Sequence, residues 1–347
     1  MMTPMSPSVP RLDDNARWNP QVHDRLDAFL ADCAQKSGSA SAPFAVFDWD
    51  NTLFHGDIGD ALFLYMVQHS RFFRPDHWQE TTPYLTPAAI GVLVRHTPAG
   101  NDLLPGIDGI RLARELVSIY LHHRTSDGAE AFSGFDPDLT HPSYAWCASL
   151  LAGNTPGQVG ILTRTVLTHL FNQPAGATDE LGGISWDDWA RPASPMIDLA
   201  RKLEQAGVPV WIVSASPQDV VEACATAVGL SAQRVIGVRN RPAPDGRLSA
   251  QLESCGDYGS VIPYCQGKRC WIQRIIGERT DPCPGRPDDL LSDRQWFAAG
   301  DSDGDLAFLQ DASRLRLVIA HCDNRSVRLA QNDEDGRWLV NPPFFGA

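Results

Sequence analysis

Lysine is nearly missing from this 347-residue chain: Lys36, Lys202 and Lys268 are the only three, and the other basic residues are arginines. Acids outnumber bases, giving a formal net charge of -13. Nucleic-acid affinity rests on clustered Lys and Arg that neutralise phosphates, so no nucleic acid is expected as a partner. Long apolar runs are missing too: nothing approaches the roughly 18 residues that span a bilayer, so no membrane is expected as a partner. Met1 to Leu30 is broken by Pro4, Pro7, Pro10, Asp13 and Asp14 instead of carrying an apolar signal core. These absences predict a cytoplasmic protein. CxxC pairs and Cys-His zinc spacing are absent as well. The eight cysteines, Cys33, Cys147, Cys224, Cys255, Cys265, Cys270, Cys283 and Cys322, stand singly, which predicts unlinked thiols in a reducing compartment. What is present is ordinary globular material, with 43% hydrophobic residues, 10 Trp and 14 Phe. That composition excludes disorder, coiled coil and collagen, and the length suggests about two domains.

Val22 to Lys36 has the period of an amphipathic helix, and Phe44 to Phe47 is a short apolar run that reads as a buried strand. Val208 to Val213, Trp296 to Ala299 and Arg316 to Ala320 have the same character. Helical patterns fill Pro195 to Ala206 and Pro217 to Val228, each closed by a glycine. This rhythm predicts an α/β fold with a parallel sheet. Between Asp60 and Ala190 the pattern turns mainly helical, long enough for an inserted domain. The expected division is a core of residues 1–64 and 191–347 with a helical insertion of 65–190. The Pro- and Asp-rich stretch Arg279 to Asp293 reads as a surface loop.

The first apolar strand runs into Asp48-Trp49-Asp50-Asn51-Thr52. The carboxyl ends of strands are where open α/β sheets bind ligands, and residues i and i+2 of extended chain face the same way. Asp48 and Asp50 are therefore expected to share one site, although an Asp pair also suits an ordinary turn. The second core strand delivers Ser214-Ala215-Ser216 ahead of a helix, where a hydroxyl and free N–H groups suit an anion. The third delivers Asp301-Ser302-Asp303-Gly304-Asp305, oxygen ligands suited to Mg²⁺. Lys268 opens a helix between these two strands. Taken alone, it reads as a solvent-facing helix-terminal lysine.

The four motifs occur in one order: DxDxT, Ser, Lys, then GDxxxD. In that order they resemble the haloacid dehalogenase superfamily of phosphohydrolases, over residues 44–64 and about 195–325. An insertion just after the first motif is what that family calls a type 1 cap. FAVFDWDNT over Phe44–Thr52, PVWIVSAS over Pro209–Ser216, RVIGV over Arg234–Val238, and Gly267-Lys268 look like the phosphoserine phosphatase and bacterial phosphorylcholine phosphatase branch.

The resemblance implies a Rossmann-like core, a phosphatase acting through an aspartyl phosphate, and Mg²⁺. It makes Asp48 the nucleophile and Asp50 the general acid and base. Ser214, Ala215 and Lys268 become the phosphate-binding set. Asp48, Asp301, Asp305 and the backbone carbonyl of Asp50 become the metal ligands. The substrate is expected to be a small phosphorylated metabolite. Asp57 and Asp60, where the chain enters the cap, are candidate binders of a substrate amine such as that of phosphoserine or phosphocholine, or else plain helix-start acids. Phosphomutases keep both acids, so phosphoryl transfer stays open at this point. A receiver-type phospho-acceptor places its acidic pair and its acceptor on different strands, unlike this chain.

Overall fold

The computed structural model describes residues 10–13, 17–36, 42–100, 102–105, 110–256 and 260–345. The strands of three or more residues are β1 (Phe44–Phe47), β2 (Thr178–Leu181), β3 (Ile184–Asp187), β4 (Val210–Pro217), β5 (Val235–Val238), β6 (Asn240–Pro242), β7 (Leu248–Leu252), β8 (Gln295–Gly300), β9 (Leu315–Ile319) and β10 (Trp338–Asn341). Six of them form one parallel sheet in the order β10-β9-β8-β1-β4-β5, so the α/β expectation holds. In the centre, Ala45, Val46 and Phe47 pair with Val210, Trp211 and Ile212 on one side and with Phe297, Ala298 and Ala299 on the other. Every residue of β1, β8 and β9 is buried. That explains why these strands read as continuous apolar runs and not as alternating ones. Phe47 and Phe297, both fully buried with ring centroids 5.3 Å apart, each contribute about 1.5–3 kcal/mol by leaving water.

The chain divides into two compact units, Met1–His55 with Pro192–Ile212 and Arg286–Ala347, and Gly56–Arg191 with Val213–Gly285. The first contains helices α1 (Pro20–Lys36), α7 (Ser194–Gln205), α10 (Asp289–Ser292), α11 (Leu306–Asp311) and α12 (Arg325–Asn332). Here α1 packs on α7, and α11 and α12 pack on β8 to β10. The expected loop at 279–293 is irregular only as far as Asp288, whose carboxylate caps α10.

The second unit holds α2 (Ile58–Gln68), α3 (Pro87–His96), α4 (Ile110–His122), α5 (Pro142–Ser149), α6 (Pro156–Asn172), α8 (Gln218–Ala227) and α9 (Gln266–Ile275). It also carries the antiparallel pairs β2–β3 and β6–β7. The insertion is mainly helical, as its periodicity predicts. By compactness, however, residues 213–285 group with it, because α8 packs on α6, and α5 packs on β5 and β7. No helix among the described residues is long and apolar enough to cross a membrane.

One expectation is overturned. Cys255 and Cys270 form a disulfide, with Cα atoms 6.1 Å apart, so two of the cysteines read as unlinked thiols are a cross-link. The turn that follows β7 returns the chain beside α9, which puts two singly spaced cysteines within bonding reach.

Candidate functional site

In the first unit the acids gather at the carboxyl ends of β1 and β8. The backbone N–H of Asp48 donates to the Ala299 carbonyl at 2.9 Å, which seats the residue after β1 against the end of β8. Trp49, between the two acids, turns into the core, is fully buried and stacks on Phe54 with centroids 5.7 Å apart. The turn closes on the Trp49 carbonyl, which accepts from Leu53 and Phe54, with Asn51 in the left-handed region at φ 58°.

Asp48, Asp301 and Asp305 each bring a carboxylate oxygen into a cluster whose members lie within 4.8 Å of one another. The Asp50 carboxylate is not one of the three. Asp305 is 1% exposed, and its Oδ2 accepts from the backbone N–H groups of Asp301 at 3.0 Å and Ser302 at 3.2 Å. Gly300 is what permits this arrangement: a Cβ there would lie 2.6 Å from the Cβ and Oδ2 of Asp305. Asn324 Nδ2 donates to the Asp301 carbonyl at 3.0 Å. Asp303 accepts from the backbone N–H and the hydroxyl of Ser326, so α12 braces the acidic loop. An idle Asx-rich turn would be solvated. Instead Asp48 is 5% exposed and Asp305 1% exposed. Three hard oxygen donors in a half-open loop fit Mg²⁺.

The second unit carries the other expected residues. Ser214 is fully buried near the end of β4, and its Oγ accepts from the Ser216 N–H at 3.0 Å. It is not a cap of α8: the N-cap there is Pro217, without a side-chain bond. Lys268 is 4% exposed, so it is not the solvent-facing lysine of the bland alternative. The approach to it is tight. A Cβ on Gly267 would sit 2.0 Å from the Ile262 carbonyl oxygen. Cys265 holds φ 48° and ψ -122° at the N-cap of α9, a conformation that costs a non-glycine residue about 1–3 kcal/mol.

Asp57 and Asp60 are both partly buried. Asp57 caps α2, its Oδ1 accepting from the Asp60 N–H at 2.9 Å, so the helix-start reading is correct as far as it goes. The same carboxylate accepts from the Tyr144 hydroxyl at 3.4 Å, and Asp60 accepts from the Tyr120 hydroxyl at 2.7 Å. Burial raises the Asp57 pKa, against hydrogen bonds from the backbone and Tyr144 and the pull of Lys268. Burial raises that of Asp60 well above the carboxylate range, and the Asp57 charge adds to it. Tyr144 lies in an aromatic wall with His141 and Tyr264, centroids 4.2 and 6.1 Å away. Burial lowers the His141 pKa to about 4. Sequence reasoning missed Tyr120, Tyr144 and Asn324. Only Asn324 leaves a local signal, as the cap before the helical pattern at Arg325.

No protein-family model and no curated protein matches the chain. Among solved structures it is similar to a conserved protein of unknown function from Anaerococcus prevotii DSM 20548, at 20% identity and TM-score 0.70, over 96% of this chain and 97% of that one. It is also similar to a protein of unknown function from Bordetella pertussis Tohama I, at 15% identity and TM-score 0.52, over 87% and 98%. A phosphoserine phosphohydrolase-like protein from Francisella tularensis subsp. tularensis SCHU S4 matches at 12% identity and TM-score 0.39, over 86% and 94%. The first two likenesses carry the fold.

Proposed function

We propose that the chain is a phosphoric monoester hydrolase of the haloacid dehalogenase type, acting on a small phosphate ester through an aspartyl phosphate. The observation that carries this reading is the cluster of Asp48, Asp301 and Asp305 at the carboxyl ends of β1 and β8, in which Asp48 and Asp305 are buried and Asp301 is half-buried. Asp48 is the nucleophile: its carboxylate oxygen forms the bond to phosphorus as the ester oxygen leaves. Asp50, whose carboxylate stands apart from that cluster, gives its proton to the leaving alkoxide. It then takes a proton from the water that attacks the acyl phosphate, releasing inorganic phosphate and restoring Asp48. The Ser214 hydroxyl, the Ala215 N–H and the Lys268 ammonium bind the non-bridging oxygens as charge redistributes. Asp48, Asp301, Asp305 and the Asp50 carbonyl would hold Mg²⁺, which supplies charge screening between carboxylate and phosphate.

The substrate in this reading bears an amine. Asp57 and Asp60 are adjacent carboxylates losing solvation, and a cationic head group lowers the cost of keeping both ionised. The cytoplasmic location expected from the sequence belongs to the same reading.

The test is phosphate release from phosphoserine, phosphoethanolamine, phosphocholine and glycerol phosphate with Mg²⁺, for the native chain and for Asp48→Asn. The reading requires turnover that the amide variant lacks, since an amide cannot attack phosphorus. Undiminished turnover in Asp48→Asn would falsify it. Phosphate appearing on an added alcohol in place of water would make the enzyme a phosphotransferase. Asp57→Ala should raise KM for the amine esters selectively, and an equal rise for glycerol phosphate removes the amine role.

A further inference from the structure

The second unit contains a cavity of about 280 Å³ that none of the residues assigned above lines. It lies between the turn Trp78–Glu80 with the residues after it, the carboxyl end of α5, and the β6–β7 hairpin. Its walls are fastened to one another. Asn240 Nδ2 donates to the Ala148 carbonyl at 2.8 Å and to the Ser249 carbonyl at 2.9 Å. The Leu248 N–H donates to the Asn154 carbonyl at 2.8 Å, and the Gly153 N–H donates to the Leu248 carbonyl at 2.9 Å. The hairpin is thus strapped to the end of α5. The volume lies just below the roughly 300–1,000 Å³ range of small-molecule pockets, which suits a ligand the size of an amino acid.

The polar groups facing this space are underused by the protein. Ser149 is 2% exposed, and its hydroxyl makes no hydrogen bond among the described residues. Thr82 is 5% exposed, and its oxygen only accepts, from the Tyr84 N–H at 3.4 Å, so its proton is unused. Arg241, on β6, and Glu80 both line the cavity, and neither has an ion-pair partner among the described residues. Arg241, the acids Glu80 and Glu253, and two spare hydroxyl protons line a space that Ala145 and Leu252 also line; Glu253 is paired with Arg274 at 3.9 Å, which leaves Glu80 as the unpaired acid.

From this set we infer that the cavity binds a small zwitterion of the α-amino-acid type. The carboxylate pairs with Arg241 and accepts from the Ser149 and Thr82 hydroxyls, the ammonium pairs with Glu80, and the side chain lies against the apolar lining. A guanidinium fork matches a carboxylate in two parallel bonds, while the opposed Glu80 disfavours a ligand that is anionic only. The site backs onto the proposed substrate-binding wall, because Leu252 and Tyr144 pack against the same cluster of Ala145, Ala148, Val238 and Ile262. It is nonetheless built from different side chains.

Calorimetric titration and thermal shift of the full chain with the free protein amino acids, at millimolar concentration, test the assignment. The same compounds are run as N-acetyl and as amide derivatives. At least one free amino acid should bind with one equivalent per chain, and blocking either end should weaken it tenfold or more. Arg241→Ala and Ser149→Ala should each weaken binding at least tenfold, while Asp48→Asn and Asp57→Ala bind as the native chain does. Arg241 is exposed and Ser149→Ala removes one atom, so both variants are expected to fold, and an unshifted melting temperature without ligand checks it. The inference fails if no free amino acid binds, if blocked and free forms bind alike, or if Arg241→Ala binds normally. Loss of binding in Asp57→Ala alone places the ligand in the substrate pocket instead, and also overturns it.

Discussion

Gly300→Ala perturbs the acidic cluster without removing any of its carboxylates. The added methyl would sit 2.6 Å from the Cβ and Oδ2 and 2.7 Å from the Cγ of Asp305. Ordinary heavy-atom contact is about 4 Å, so the Asp305 side chain or the loop must retreat by ~1 Å. Asp305 is 1% exposed and has little room to do so. Its bonds from the Asp301 and Ser302 N–H groups are 3.0 and 3.2 Å long, and a retreat of that size breaks at least one of them. A hydrogen bond to a charged acceptor contributes about 1.5–3 kcal/mol, and overpacking adds about 1–3 kcal/mol. A loss of about 2.5–6 kcal/mol is therefore expected, read from the urea midpoint.

The functional consequence is separate. Asp305 sets the Asp301 backbone, so misplacing it should raise the Mg²⁺ concentration for half-maximal phosphate release by about 10- to 100-fold. Asp305→Asn, which keeps the shape and removes the charge, should do the same with a smaller loss of stability. Gly91→Ala is the control: it lies in α3, and a Cβ there meets nothing within 4 Å. That variant should gain about 0.5–1 kcal/mol. If Gly300→Ala matches the native chain in both urea midpoint and Mg²⁺ requirement, the close approach is not what holds the loop.

Asp60 should make stability depend on pH. Its folded pKa is raised by burial and by Asp57, so the folded state holds its proton more tightly than the unfolded chain does. Stability is then lost as pH rises from about 4, the ordinary value, through the raised one. Asp60→Asn keeps an acceptor for Tyr120 and should melt higher than the native chain at pH 7–8 and level with it near pH 4. A constant difference across that range refutes the shift. The Cys255–Cys270 cross-link closes a separation of 15 residues and should contribute about 3 kcal/mol. Denatured but unreduced protein should titrate as six thiols, the number left free, and eight would refute the bond. The Cys255→Ser, Cys270→Ser double variant should show the stability loss in urea.

Where one strand end and a few contiguous residues carry the chemistry, the sequence is informative. Phe44 to Phe47 must be apolar on both faces because β1 lies in the middle of the sheet, so the run stands out and the two acids after it are placed by chain direction alone. The same holds for Asp301 and Asp305 behind β8. Outer strands are harder to read. β10 is four residues at the sheet edge, between Gly336 and Pro342, and nothing periodic marks it. Partners brought together by tertiary packing leave no trace at all. Tyr120 reaches Asp60 across 60 positions, and Cys255 meets Cys270 only because α9 follows a returning loop. The case of Lys268 shows why spacing alone misleads. In the first turn of a helix, lysine belongs in solvent unless something closes over it. Lys268 is 4% exposed, and beside it the Ile262 carbonyl approaches so closely that Gly267 cannot carry a side chain. The Gly-Lys dipeptide was therefore the legible signal, through the glycine: a residue forced small by a crossing carbonyl delivers the ammonium to a buried position, where it needs an anion.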